Sequence, residues 1–182
     1  MAAVERALEL RRRDEVLLPA ARVLLWAGQP DRATELAREL ESALEPQSRA
    51  FAQIIEGEIA LREGRTVDAL EALQGAQDLA DPWLARFDLG VLYVEAGRHA
   101  EALSELELCE KRKGEATAIF LDDIPTFRYL APLSYWLGRA QEGMGMRAAA
   151  KESYDRYLTL RPATSGDPLA ANAHERREGL GD

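Results

Sequence analysis

The residues of this sequence best suited to chemistry are two adjacent aspartates, Asp122 and Asp123, in the stretch IFLDDIPTFRYL. Two neighbouring carboxylates could bind a hard cation or divide the roles of general acid and general base. Adjacent side chains point apart, however, and no third acid, Asn or His lies nearby to complete a site. Acids just before Pro125 fit the positive end of a following helix, where each contributes ~0.3–1 kcal/mol. We therefore interpret the pair as a helix start.

Cysteine and histidine are too few to build a familiar catalytic or zinc site. Cys109 is the only cysteine, so no internal disulfide can form, and His99 and His174 are the only histidines. Neither histidine has a Ser, Cys or Asp partner at a recognised catalytic spacing, and both are interpreted as surface residues. The stretch GMGM at 143–146 lacks the G-x4-G-K-[ST] frame of a phosphate-binding loop. We therefore expect a protein that is not an enzyme and that holds neither a metal nor a cofactor.

Composition and charge favour a helical protein without nucleic-acid or membrane partners. The 182 residues are 47% hydrophobic, rich in Ala, Leu, Glu and Arg and poor in β-branched residues, which predicts an all-α fold with a buried core. The 23 basic and 32 acidic residues give a net charge of −9, which repels DNA and anionic lipid. No apolar run approaches the ~18 residues of a membrane span, and acids interrupt the N-terminus where a signal peptide needs an apolar run. We expect a cytoplasmic location.

Two short basic runs, RRR at 11–13 and EKRKGE at 110–115, lie within this acidic chain. Such runs are more typical of solvated helix ends than of nucleic-acid patches. Lys111, Arg112 and Lys113 fit the last turn of a helix, where cations complement the helix dipole. The sequence therefore predicts a helix that ends at Gly114.

One spacing organises the chain: a glycine followed, five residues later, by an alanine. It occurs four times, and a small residue lies seven positions before each glycine. A glycine can end a helix with a left-handed turn, so each unit is expected to be an antiparallel helix pair. The small residue and the alanine should face each other and let the backbones approach. The four sets are Ala21, Gly28 and Ala33; Gly57, Gly64 and Ala69; Gly90, Gly97 and Ala102; and Gly138, Gly145 and Ala150.

This pattern resembles the tetratricopeptide repeat, a helix pair of about 34 residues with the signature L-G-x2-Y, then A-x3-F, then P. LGVLY at 89–93 matches the first part in the third unit, and Ala150, Tyr154 and Pro162 match the second part in the fourth. The resemblance implies an all-α, right-handed superhelical solenoid of antiparallel helix pairs. Cys109 falls where the family has a small, Ala-like residue, which implies a buried and inert thiol.

The repeats are expected to occupy most of a single domain that covers residues 1–182. The turn glycines lie 36, 33 and 48 residues apart, so the last repeat carries about fourteen extra residues. Asp167 and Pro168 are suited to the N-cap and first position of a helix that closes the array. The predicted segments are the second helix of a preceding repeat, 1–13; repeats at 14–47, 50–82, 83–113 and 126–162; an insertion, 114–125; and a capping helix, 167–178.

Two prolines leave the start of the last repeat open. Pro125 suits the first turn of a helix, but Pro132 lies seven residues later, where it should bend or break that helix. Either one kinked helix runs from about Thr126 to Gly143, or the helix begins near Ala131. The sequence favours the kinked helix, because the apolar residues after Thr126 keep the i, i+3, i+7 spacing of a single face.

The first helices of such repeats line a concave groove that binds extended peptides or partner helices. Equivalent helix positions here carry aromatics interleaved with arginines, a composition typical of binding hot spots. The Lys and Asn clamp with which some members hold a C-terminal carboxylate is absent, because the corresponding slots hold residues such as Leu18 and Ile55. The candidate partner-binding residues are Arg22, Trp26, Glu58, Arg62, Phe87, Val91, Glu95, Tyr135 and Arg139.

The C-terminal part of the chain, with its long last repeat followed by YDRYL and GDPLA, is similar to the C-terminal repeat region of bacterial multidomain proteins, especially serine/threonine kinases. The resemblance implies a non-catalytic scaffold that binds a protein or peptide, or another domain of its parent polypeptide, and no kinase motif occurs in the chain. A second hypothesis is a small-ligand sensor, with a pocket lined by Tyr129, Tyr135 and Trp136 at the groove end near the insertion.

Overall fold

A computed structural model describes residues 1–116, 127–162 and 166–181. These residues form eleven α-helices and a short 3-10 helix, with no strand among them, so the all-α prediction is confirmed. The helices are α1 (Ala2–Leu10), α2 (Asp14–Trp26), α3 (Pro30–Glu41), α4 (Pro46–Arg62), α5 (Thr66–Ala80), α6 (Trp83–Glu95), α7 (His99–Lys111), α8 (Lys113–Ala116), the 3-10 helix Phe127–Tyr129, α9 (Leu130–Gly143), α10 (Arg147–Leu160) and α11 (Pro168–Gly179).

The described residues divide into two compact units, Met1–Ala85 and those from Arg86 onward. In the first unit, α2 packs on α3 and α4 on α5, while α3 and α2 also contact α4. In the second unit, α9 packs on α10 and α7, and α10 packs on α11. The repeat boundaries and the single domain stay predictions, and the insertion lies largely outside the described residues.

The four turn glycines have the predicted left-handed backbone. Their φ angles are 71° at Gly28, 76° at Gly64, 72° at Gly97 and 74° at Gly145. A side chain at this φ is strained, so glycine is the residue that lets one helix end and the next turn back along it. The sequence prediction of four helix pairs joined at these glycines is confirmed by the short connections between the helices.

In the last two helix pairs the small residue meets a different partner from the one that the spacing predicts. A Cβ on Gly90 would lie 2.6 Å from Leu106, and a Cβ on Gly138 would lie 2.6 Å from the Tyr154 ring. Both partners come nine residues after the turn glycine, not five. The alanine at five is fully buried in each pair, but the large side chain one helical turn later is what fills the space above the glycine.

Replacing Gly90 with alanine is expected to lower the free energy of unfolding by about 1–2 kcal/mol. The new methyl group must displace Leu106, which costs about 1–3 kcal/mol, and this outweighs a gain of up to about 1 kcal/mol in helix propensity. Urea denaturation would measure the change. Gly179 in α11 is the control, since a Cβ there meets no atom within 4 Å. Equal stability of the two alanine variants would contradict the packing argument.

Two predicted helix boundaries are wrong. The kinked helix from Thr126 is not formed in the described part, because α9 begins at Leu130 after a 3-10 turn, as the alternative start near Ala131 predicts. Pro132 thus falls in the first helical turn, where no intrahelical N–H is needed. The helix predicted to end at Gly114 instead ends at Lys111, and Gly114 lies within the short α8.

The capping helix begins as predicted. Asp167 is its N-cap, and the carboxylate Oδ1 accepts a hydrogen bond of 3.0 Å from the Leu169 backbone N–H. Pro168 occupies the first helical position, where its fixed φ suits the helix and its missing N–H costs nothing. Ala170 and Ala173 are fully buried against α10, so α11 covers one face of the last helix pair.

Candidate partner-binding surface

The structure places the nine predicted partner-binding residues in very different surroundings. Trp26, Arg62 and Glu95 are exposed; Glu58, Val91 and Arg139 are half-buried; and Arg22, Phe87 and Tyr135 are buried. The first four in the chain belong to the first unit and the other five to the second. The nine residues therefore form two groups, one in each unit.

In the first unit, an ion pair fixes the register of two neighbouring helices. Arg22 on α2 pairs through Nη2 with Oε1 of Glu58 on α4, and the Arg22 side chain is only 4% exposed. Both helices run from their N-termini in the same direction, because each packs against the antiparallel α3. This ion pair therefore links α2 to α4 inside the first unit.

One helical turn beyond this pair lies the exposed part of the predicted site. Trp26 ends α2 and Arg62 ends α4, each four residues after its member of the ion pair. Trp26 is 68% exposed, and Val23, one turn earlier on the same helix, is 36% exposed. We call Val23, Trp26 and Arg62 the Trp26 patch. It joins a large aromatic surface to an exposed guanidinium on two helices that the buried ion pair holds in register.

In the second unit, Tyr135 and Arg139 belong to a hydrogen-bonded network that reaches the capping helix. The Tyr135 hydroxyl donates to Asn172 Oδ1 at 2.7 Å and accepts from Arg139 Nη1 at 3.2 Å. Arg176 donates through Nε to the same Asn172 oxygen at 2.8 Å and through Nη1 to Glu142 at 3.1 and 3.2 Å. The network joins α9 to α11, so its first role is to hold the capping helix.

Two buried tyrosines of α10 also donate to carboxylates, and one of these carboxylates belongs to this network. The Tyr154 hydroxyl donates to Glu142 Oε2 at 2.6 Å, and the Tyr157 hydroxyl donates to Asp167 Oδ2 at 2.8 Å. Burial is the main reason that the pKa of both hydroxyls is raised well above the usual range, and the hydrogen bond to a neighbouring carboxylate raises it further. Each tyrosine therefore stays a neutral hydrogen-bond donor throughout the physiological pH range.

The aromatics predicted to line a ligand pocket pack against other side chains. Tyr129 lies against Phe87 with ring centroids 5.3 Å apart, and Trp136 meets the Tyr135 ring edge-on at 5.0 Å. The Arg139 guanidinium lies 5.7 Å from the Trp136 centroid. Tyr135 is only 2% exposed and Phe87 only 4%, so both contribute to the core and offer almost no surface to a ligand or partner.

Cys109 and the two histidines occupy positions typical of packing or surface residues. Cys109 is fully buried, as predicted, and burial raises the pKa of its thiol, which disfavours the reactive thiolate. His174 is exposed as predicted, whereas His99 is half-buried: its ring lies against Gly143, where an added Cβ would be 2.3 Å from the ring. Asp122 and Asp123 lie outside the described residues.

The described residues offer neither a metal-binding cluster nor a membrane-spanning helix. Across residues 1–116, 127–162 and 166–181, His, Cys, Asp and Glu form no group of three or more that could hold a metal ion. Within the same ranges, no helix has the length and apolar character that crossing a bilayer requires.

The last helix pair matches a known family. Residues 131–164 match the family model of the tetratricopeptide repeat. This pair is tetratricopeptide-like. The matched range covers α9 from its second residue and all of α10, with the close contact between Gly138 and Tyr154 and the left-handed turn at Gly145. No curated protein matches the chain in sequence.

Solved structures align with nearly the whole chain. A crystal structure of MamA aligns with a TM-score of 0.54 and 22% identity, covering 93% of this chain and 85% of the other. The nearly identical TPR-like repeats of a Podosopora anserina protein described as a kinesin light chain align with a TM-score of 0.59 and 18% identity, covering 90% and 84%. A MamA RS-1 ArsTM double mutant gives 0.56 and 16%, covering 93% and 96%. At these identities the likeness shows a shared fold.

Proposed function

We propose that this chain is a non-catalytic scaffold that binds a protein or peptide partner, or another domain of its own polypeptide, through the Trp26 patch. Tetratricopeptide-like repeats form a fold consistent with protein–protein interaction. The single observation that carries the proposal is the 68% exposure of Trp26. A tryptophan that is largely exposed to water is unusual in a folded protein, whereas at interfaces tryptophan is enriched among the residues that dominate binding.

The surroundings of Trp26 indicate what kind of partner fits. Val23 extends the apolar surface along α2, and Arg62 adds a positive charge at the end of α4. The Arg22–Glu58 ion pair below holds the two helices, so little conformational entropy is lost when a partner binds. The best-fitting partner is a segment that places an apolar or aromatic side chain on Trp26 and an acidic side chain near Arg62.

We further propose that the chain is a regulatory part of a larger bacterial signalling protein and acts in the cytoplasm. The similarity of the long last repeat, and of the segments after it, to the C-terminal regions of bacterial multidomain kinases supports this context. In such a protein the partner of the Trp26 patch would be a linker or domain of the same polypeptide, presented at high effective concentration.

The proposal is tested by selecting peptides from a displayed random library on the wild-type chain and measuring their affinities by fluorescence anisotropy. Trp26→Ala is expected to weaken the selected peptides by about 30-fold or more, which is the size of a hot-spot loss. Val67→Ala is the matched control, because Val67 is also 68% exposed and belongs to the same unit. Circular dichroism should show both variants folded.

Two outcomes would overturn this function. One is a library selection that enriches no peptide, and the other is a set of enriched peptides that bind the Trp26→Ala and wild-type chains equally. Arg62→Glu refines the result, because it should weaken acidic peptides more than neutral ones if the guanidinium contacts an acidic side chain.

A further inference from the structure

A cavity in the second unit has no role in the partner-binding surface. Its volume is about 450 Å³, within the range of pockets that bind small molecules. It opens where the end of α7, the start of α9 and the end of α10 come together. The lining residues that bear on its chemistry are Leu130, Ser134, Leu160, Glu110, Lys113 and Arg156.

The walls of this cavity are largely apolar. Leu130 is the first residue of α9 and is half-buried, while Leu160 is the last residue of α10 and is 61% exposed. An exposed leucine beside a second apolar side chain in a concave site leaves apolar surface in contact with water. A bound molecule with an alkyl or aryl body would cover both leucines, and this burial favours binding in proportion to the area removed from water.

A polar side chain also lines the cavity. Ser134 on α9 is 7% exposed and is one of the lining residues. A serine hydroxyl both donates and accepts hydrogen bonds, so it can pair with an oxygen of a bound molecule.

The rim of the cavity is positively charged. Lys113 Nζ lies 3.4 Å and Arg156 Nη1 lies 3.5 Å from the same carboxylate oxygen, Oε1 of Glu110. Two cations thus share one anion, which leaves a net charge of +1 beside the apolar walls. Arg156 also donates through Nη2 to Ser153 Oγ at 3.2 Å, which fixes its direction. A bound carboxylate beside Lys113 and Arg156 would neutralise the positive charge that Glu110 does not balance.

We propose that this cavity binds a small amphipathic carboxylate. The alkyl or aryl body lies on Leu130 and Leu160, the carboxylate lies between Lys113 and Arg156, and the Ser134 hydroxyl hydrogen-bonds an oxygen of the bound molecule. The site goes beyond the scaffold function, uses none of the Trp26 patch, and gives the chain a way to respond to a metabolite.

The test uses decanoate as the probe and measures its dissociation constant on the full chain by isothermal titration calorimetry, below the concentration at which the probe forms micelles. Decanoate should bind at least about tenfold more tightly than decylamine, which has the same alkyl chain and the opposite charge. Lys113→Glu should weaken decanoate binding by at least about tenfold. Leu160→Ser should weaken decanoate and decylamine alike.

Lys111→Glu is the matched control, because it makes the same charge reversal two residues away at an exposed position that does not line the cavity. It should change decanoate affinity by less than about twofold, since a solvent-exposed charge outside the site is largely screened. Equal weakening by both reversals, equal binding of decanoate and decylamine, or no binding of decanoate would each overturn the proposal. None of these results depends on whether Trp26 binds a partner.

Discussion

Glu58→Ala is expected to lower the free energy of unfolding by about 3–5 kcal/mol, measured by urea denaturation. The substitution removes the carboxylate that pairs with Arg22, whose side chain is only 4% exposed. A guanidinium that loses its carboxylate partner in a dry environment is far less stable than the same group in water, and the folded state bears this cost. The effect is large because the ion pair lies between two helices of the first unit.

The double variant Arg22→Met with Glu58→Leu separates charge from packing. Apolar side chains of similar volume remove both desolvated charges together, so this variant should be within about 1 kcal/mol of the wild type or more stable. The exposed pair of Arg49 and Glu41, with N and O atoms 3.4 Å apart, is the control, and Glu41→Ala should cost at most about 1 kcal/mol. A double variant as unstable as Glu58→Ala would contradict the explanation.

Tyr154→Ala is expected to destabilise the protein by about 3–5 kcal/mol. The ring is fully buried against Gly138, where the glycine has no side chain to fill the cavity that truncation leaves. Tyr154→Phe keeps the ring and removes only the hydrogen bond to Glu142, so it should cost about 1–3 kcal/mol. Denaturant titration followed by circular dichroism would measure both.

The difference between the two tyrosine variants identifies what the side chain contributes. If the ring fills the space above Gly138, the alanine variant must be clearly less stable than the phenylalanine variant. If the two variants were equally unstable, the hydroxyl would carry the whole effect and the close approach would contribute nothing. Tyr157, which donates to Asp167 instead, is not part of this contact.

The sequence predicts the helical architecture well because glycine turns are local. The conformation of a glycine turn and of an Asp–Pro helix start is determined by residues that are neighbours in the sequence. The turns at Gly28 and Gly145 and the start of α11 can therefore be predicted from the sequence alone. The start of α9 is predicted wrongly for a related reason. The apolar spacing after Thr126 suits a helix, but Pro132 is tolerated only within the first turn.

The candidate site is less predictable because it depends on contacts between distant residues. Helix position alone makes Arg22 and Tyr135 resemble groove residues, yet Arg22 pairs with Glu58 and Tyr135 is covered by contacts with Asn172 on α11. One signal was available: Arg22 and Glu58 lie 36 residues apart, the same spacing as the first two turn glycines, and carry opposite charges. Equivalent positions with opposite charges in adjacent repeats favour pairing.

The glycine contacts have a consequence for how such repeats can be recombined. In the later pairs a glycine on the first helix accepts a large side chain from the second, as Gly90 accepts Leu106. In the first pair the same two positions hold Ala21 and Ala37, both small and both buried. The side chains that face each other within a repeat are therefore matched in volume. Exchanging a first helix between repeats without its second helix would create either a steric clash or a cavity.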